Sequence, residues 1–125
     1  IFLKVAPDPE DGEVEAIVEA VVDAGLDAII VSNTTIARPE TLRSPHKGEA
    51  GGLSGAPVYA KSNAVIRQLR QRLGAHFPII GAGGILSGAD AVGKIEAGAN
   101  VVQLYTGLIY RGPALVRECA AALAA

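Results

Sequence analysis

The sequence predicts an α/β protein built on a parallel sheet, and three observations carry that expectation. Four apolar runs recur along the chain, each followed by a segment with apolar residues at helical spacing. The runs are apolar throughout rather than alternating, as strands covered on both faces are. Polar residues and glycines gather after the C-terminal end of each run, whereas the opposite ends carry ordinary turn residues such as Gly25, Asp27, Gly98 and Asn100.

The elements follow in order. "IFLKVA", from Ile1 to Ala6, reads as a strand, and the next segment places Val14, Ile17, Val18, Val21 and Val22 at helical spacing before Gly25 ends the turn. "DAIIVSN" is the second strand. A long polar, glycine-rich stretch leads from it to "VYAKSNAVIRQLRQRLG", whose Val65, Ile66, Leu69 and Leu73 form one apolar face. The third unit pairs "PIIGAG" with the helix "SGADAVGKIEAG", where Ser87 stands three residues before Asp90 as an N-cap. The fourth pairs "NVVQLYTG" with "PALVRECAAALAA".

Parallel strands need crossover connections, so helices must cover the sheet. Four such units suit either a small open sheet or half of an eight-stranded (β/α)₈ barrel, which usually runs to ~250 residues. Residues 1–125 are then a single partial domain. The chain opens within a strand and contains no Met, and the expectation is that it begins inside something larger.

Composition narrows the function. A net charge of −2, with eleven Lys and Arg scattered along the chain, leaves no basic footprint for nucleic acid or an anionic membrane. The apolar runs are too short to span a bilayer and no signal-like segment opens the chain, so this piece is expected to be soluble. Cys119, the single cysteine, has no partner at metal-ligand spacing and reads as a buried helix residue in a reducing compartment. No metal site is expected.

In parallel α/β folds the chemistry sits where strands end and helices begin. The glycines of "PIIGAGGILSGADA" do not make a dinucleotide fingerprint: Leu86 stands where its third glycine belongs, and no acidic residue ends the next strand. Two readings of Gly81, Gly83 and Gly84 stay open. They supply turn conformations, or, with Tyr105, Thr106 and Gly107 after the fourth strand, they hold a phosphate through bare backbone N–H groups. Lys4 interrupts an apolar strand. It faces solvent from a sheet edge, or points inward toward whatever occupies the centre and stabilises an anionic group there. The run "SNTT" opens the long loop either as a side-chain turn or as a ligand contact, and Asn33 offers both donor and acceptor to a planar, amide-edged ligand.

The motifs "LKVAPD", "VSNTT", "GGLSGAP", "PIIGAGGILSG" and "LYTGLIYRGP", in this order, resemble the C-terminal half of dihydroorotate dehydrogenases, specifically the class 2, quinone-dependent type. The resemblance covers essentially the whole chain. It implies the last four βα units of an FMN-binding (β/α)₈ barrel, in an enzyme that oxidises dihydroorotate to orotate in pyrimidine biosynthesis and passes the electrons to a quinone. By this resemblance Lys4 lies beside the pyrimidine side of the flavin, and Ser32, Gly55, Gly84, Tyr105 and Thr106 supply further FMN contacts. Asn33 and Thr34 hydrogen-bond the dihydroorotate or orotate ring. The class 2 base is a serine upstream of the matched lysine. No catalytic residue therefore falls within this chain, and Ser32, Ser54 and Ser62 are not that base. The quinone tunnel and membrane-contacting helices belong to the N-terminal part, and the complete enzyme is expected to be peripheral on the cytoplasmic side of the inner membrane. Alone, the chain is expected to be inactive and to self-associate as a homodimer. Two alternatives remain at this point: a phosphate-binding (β/α)₈ enzyme without flavin, and a non-catalytic half-barrel module.

Overall fold

A computed structural model describes all residues, 1–125. Four parallel strands alternate with helices: β1 Phe2–Val5, α1 Glu13–Asp23, β2 Ala28–Val31, α2 Tyr59–Leu73, β3 Ile79–Ala82, α3 Gly88–Ala97, β4 Val101–Gln103, α4 Thr106–Arg111 and α5 Ala114–Ala124. A short 3₁₀ turn, Ala56–Val58, leads into α2.

Strand order in the sheet is the order in the chain, β1-β2-β3-β4. Successive residues of a strand face opposite ways, and the register sorts the sheet into two unlike faces. Val5, Val31 and Gly81 share a row, and with Ile29 and Ile79 they lie against the helices. There they join Val14 and Val21 of α1, Val65, Ile66 and Leu69 of α2 and Ala97 of α3 in the main core. The other face carries Phe2, the row Lys4, Ile30, Ile80 and Val101, and Gln103. Phe2 and Val101 are exposed there, and Ile30 and Ile80 are half-buried. Helices on one face only, with strands in chain order, fit half of a (β/α)₈ barrel and not a doubly wound open sheet, whose helices cover both faces.

Local signals account for the helix boundaries. Glu13 and Glu15 sit in the first turn of α1, where negative charge is favoured. Ser87 caps α3 as expected: its hydroxyl accepts the Asp90 N–H at 3.2 Å and donates to the Asp90 carboxylate at 2.9 Å, which also takes the Leu86 N–H at 3.0 Å. Cys119 is buried against Ile85, Ala91 and Leu115, as the sequence suggested.

Two local expectations need correcting. Val22 does not join the buried stripe of α1 but is 63% exposed, because it stands eight residues after Val14, at the margin of a stripe centred on positions 14, 17, 18 and 21. The fourth strand ends at Gln103, and Thr106 already begins the short helix α4. At the N-terminal side of the sheet the Arg70 guanidinium ties down four groups: the carbonyls of Gly98, Gly74 and Phe77 and the Asn100 side chain, at 2.6–2.8 Å. Asn100 in turn receives the Ile79 N–H. That end is built for stability, which leaves the opposite rim free for chemistry.

Candidate functional site

The C-terminal ends of the four strands and the loops after them enclose an open cleft of about 300 Å³. Lys4, Ser32, Asn33, Thr34, Gly55, Gly84, Tyr105 and Thr106, all singled out from the sequence, line it together. They come from four different βα units, and the parallel sheet is what gathers them at one rim.

Lys4 is the penultimate residue of β1, on the sheet face away from the helices and level with Ile30. β1 is an edge strand of this sheet, and Lys4 also lines the cleft. Ser32 follows β2 and is nearly buried; its N–H donates to the Ala82 carbonyl at 2.9 Å and its hydroxyl to the Asn33 carbonyl at 2.9 Å. The Asn33 side-chain oxygen accepts the Thr34 N–H at 2.9 Å. This bond reaches only the next residue, not the second one on as in an Asx turn, and it leaves the carboxamide nitrogen of Asn33 as a free donor on an exposed side chain at the cleft.

Behind this turn lies an anchor that motif reading missed. Thr35 is buried, its hydroxyl donates to Asp8 at 2.5 Å, and Asp8 forms an ion pair with Lys61 of α2. Burial pushes the Asp8 carboxyl up, but the hydrogen bonds from Lys61 and Thr35 and the Lys61 charge outweigh it and hold Asp8 below its ordinary value. Thr35 also pairs with Leu53 in an antiparallel bridge, through N–H to carbonyl bonds of 3.0 and 2.8 Å. This bridge closes the excursion between residues 36 and 52 at its base.

The other end of the cleft is a cradle of backbone donors. The N–H groups of Gly84, Tyr105 and Thr106 make no hydrogen bond within the chain. Gly84 has φ +74°, and a Cβ there would come within 2.6 Å of the Tyr59 Cβ and 2.8 Å of the Tyr59 backbone nitrogen. Only glycine allows this loop to press on the start of α2 while keeping its backbone bare. The Thr106 hydroxyl donates to the Ser54 hydroxyl at 2.9 Å, fastening the loop after β4 to the segment that carries Gly55.

Ser54, Gly83, Gln103 and Leu104 also line the cleft. Gln103 carried a usable signal, because like Lys4 it is a polar residue interrupting an apolar run. Ser62 is fully buried with its hydroxyl 2.7 Å from the Ala82 carbonyl and 3.1 Å from that of Val31, while Ser32 and Ser54 are engaged as described. Chemically, the cleft offers a lysine ammonium, a free carboxamide donor and a patch of unpaired backbone N–H groups. That set fits a flavin mononucleotide, whose phosphate suits the N–H cradle and whose ring system suits a neighbouring cation.

Comparison with known proteins bears directly on this arrangement. The profile described as dihydroorotate dehydrogenase matches residues 1–125. The dihydroorotate dehydrogenase (quinone) of Herminiimonas arsenicoxydans is 60% identical over 125 residues, covering 100% of this chain and 36% of the relative. That of Leptothrix cholodnii is 58% identical over 123 residues, covering 98% of this chain and 36% of the relative. Among solved structures, that of the enzyme from Eimeria tenella in complex with ferulenol superposes with a TM-score of 0.91 at 45% identity, over 98% of this chain and 32% of the other. The chain spans about a third of the length of the relatives it matches. Four βα units in chain order, a donor-lined rim and a family profile matched from the first residue to the last lead to one conclusion: the chain belongs to the dihydroorotate dehydrogenase family.

Proposed function

We propose that residues 1–125 form the C-terminal half of an FMN-binding (β/α)₈ barrel, and that the complete protein oxidises dihydroorotate to orotate in pyrimidine biosynthesis, with a quinone as final electron acceptor. The observation that carries this reading is the convergence of eight residues from four separate βα units on one cleft. Quinone-dependent relatives at 58–60% identity support the choice of class.

When bound, FMN supplies the acceptor for the hydride that leaves dihydroorotate and relays the electrons to the quinone. The residues of this chain do the holding. The N–H groups of Gly84, Tyr105 and Thr106 would receive the phosphate, and Gly55 and Ser32 border the same cleft. Lys4 brings a positive charge that favours negative charge on the neighbouring ring system. Asn33, through its free carboxamide nitrogen, and Thr34, through its hydroxyl, would hydrogen-bond the substrate ring and set its orientation. The base that removes the substrate proton belongs, by the family resemblance, to the part of the family chain outside these residues.

The same reading assigns membrane association, and with it a peripheral position on the inner membrane, to that other part; no helix here is long and apolar enough to cross a membrane. It also assigns self-association to the isolated chain through its bare sheet face. The test is to purify the complete protein and record its visible spectrum before and after adding dihydroorotate. Flavin absorbance that bleaches with dihydroorotate and returns with a quinone supports the reading; a colourless protein overturns it.

A further inference from the structure

Gly52 and Thr34 approach each other more closely than two residues with side chains can. A Cβ at Gly52 would fall 1.8 Å from the Thr34 hydroxyl oxygen, 2.5 Å from its Cβ and 3.3 Å from its methyl group. Rotating the Thr34 side chain would not clear such a methyl, because the Thr34 Cβ itself is within the forbidden distance. One of the two backbones would have to move, and both are held. Thr35 and Leu53, each next to one of the pair, exchange two hydrogen bonds, and Thr35 is fixed from beneath by Asp8 and Lys61. The loop that carries Gly52 is fastened as well: the Arg38 guanidinium donates to the carbonyls of Lys47, Glu49 and Gly51 at 3.1, 3.1 and 2.6 Å. Gly52 does not have the positive φ of its neighbour Gly51, so its backbone would accept alanine and only the contact with Thr34 forbids it.

We propose that Gly52 is a positioning residue for substrate recognition: its missing side chain leaves the space that the Thr34 hydroxyl and Cβ occupy, and so keeps Thr34 in its place at the cleft. Gly52 does not line that cleft, so it acts through Thr34 and not on a ligand. The inference rests on the assignment of Thr34 to the substrate ring. It adds a determinant one shell out, on a loop that the motif "GGLSG" alone would assign to the cofactor.

The test uses the flavin-loaded complete protein, with orotate as the probe and the flavin spectrum as the readout. Gly52→Ala should raise the orotate dissociation constant about tenfold, as losing one buried hydrogen bond does, with FMN content unchanged. On a Thr34→Gly background, where hydroxyl and Cβ are both gone, adding Gly52→Ala should weaken orotate no further. Gly48→Ala, in the same loop with nothing within 4 Å of the added methyl, should leave binding unaltered. If Thr34→Ala itself leaves orotate affinity intact, the substrate assignment of Thr34 falls and this inference with it. If Thr34→Ala weakens orotate and Gly52→Ala does not, the inference alone is overturned. A Gly52→Ala protein that loses flavin together with orotate, or a further loss on the Thr34→Gly background, overturns it as well.

Discussion

The ammonium of Lys94 lies 4.8 Å from the centroid of the Tyr59 ring, fully buried and without a hydrogen-bond acceptor. Its stem crosses β3 at Gly81, where a Cβ would stand 3.2 and 3.3 Å from the Lys94 Cβ and Cδ. The tyrosine it faces donates to the Asp90 carbonyl at 3.1 Å and supports the Gly84 loop on its other side. A cation thus underlies the wall of the cleft, held by a ring face in place of a carboxylate.

This has a measurable consequence for stability. Burial pushes Lys94 down to about 8 from an ordinary 10.5, against the opposing charge of Asp90. Below pH 8 the lysine is protonated whether folded or unfolded, and the folded state carries the full cost of the buried charge, on the order of 3 kcal/mol. Between pH 8 and 10.5 the unfolded chain binds more protons than the folded one, so this contribution makes the protein more stable as pH rises. Lys94→Met keeps the stem and removes the charge. Urea unfolding at fixed protein concentration should find the variant more stable at pH 7, with the gap narrowing by pH 9.5. A gap independent of pH would refute the assignment.

Lys4 leads to a prediction of a different kind, because it lines the cleft and is exposed. Lys4→Ala in the complete protein should cost little stability but weaken FMN binding about tenfold or slow flavin reduction by a similar factor, since a cation beside the ring is lost. Titration of apoprotein with FMN and single-turnover bleaching read the two effects separately. Unchanged affinity with an unchanged reduction rate would remove Lys4 from the site.

Asn33 separates substrate from cofactor. Its oxygen is committed to the Thr34 N–H, so the carboxamide nitrogen is the group left for a ligand. Asn33→Ala should raise the orotate dissociation constant by roughly 1 to 3 kcal/mol of binding free energy while FMN stays bound. Orotate titration followed through the flavin spectrum measures it, and equal affinity in the two proteins would contradict the role.

Gly84→Ala should damage the site in two ways. It forces an L-residue to φ +74°, at about 1 to 2 kcal/mol, and drives a carbon to within 2.6 Å of the Tyr59 Cβ. The expected outcome is loss of bound FMN together with a lowered unfolding midpoint. Full flavin content at an unchanged midpoint would mean that the loop is free to move.

How far the sequence could be read depended on how local each feature is. The four βα units were legible because their apolar spacing is set within each segment, and the Ser87 cap because its partners are three residues apart. The eight cleft residues were legible through the family resemblance of the motifs that carry them, and the parallel sheet, which brings strand ends and the loops after them to one rim, accounts for their meeting. Lys94 was not, since "GKIEAG" reads as a solvated helix turn until Gly81 and Tyr59, from other elements, close over it. Nor was the Asp8–Thr35–Lys61 anchor, whose members are 26 to 53 residues apart in the chain. The short helix α4 was missed, its first two residues read into the fourth strand and the rest given to no element, because six residues are too few to show a helical period.

The bare sheet face makes the last prediction, which concerns the chain by itself. Strands β1 and β4 are each paired on one side only, so each leaves a row of N–H and C=O groups open to another strand. Phe2 and Val101 stand exposed on the face away from the helices, beside the half-buried Ile30 and Ile80, which the register places level with each other and with Val101. An apolar face flanked by two open edges seeks a partner, and in a solution of this chain alone the partner at hand is a second copy. A two-fold arrangement would satisfy both edges at once, each copy's β1 meeting the other's β4. Sedimentation of the isolated chain at micromolar concentration should therefore show a dimer, with FMN bound weakly or not at all. Phe2→Glu and Val101→Glu, which place charge on that face, should shift the equilibrium toward monomer without unfolding a core to which neither residue belongs. A well-folded chain that is strictly monomeric before any substitution would show that the face needs no cover.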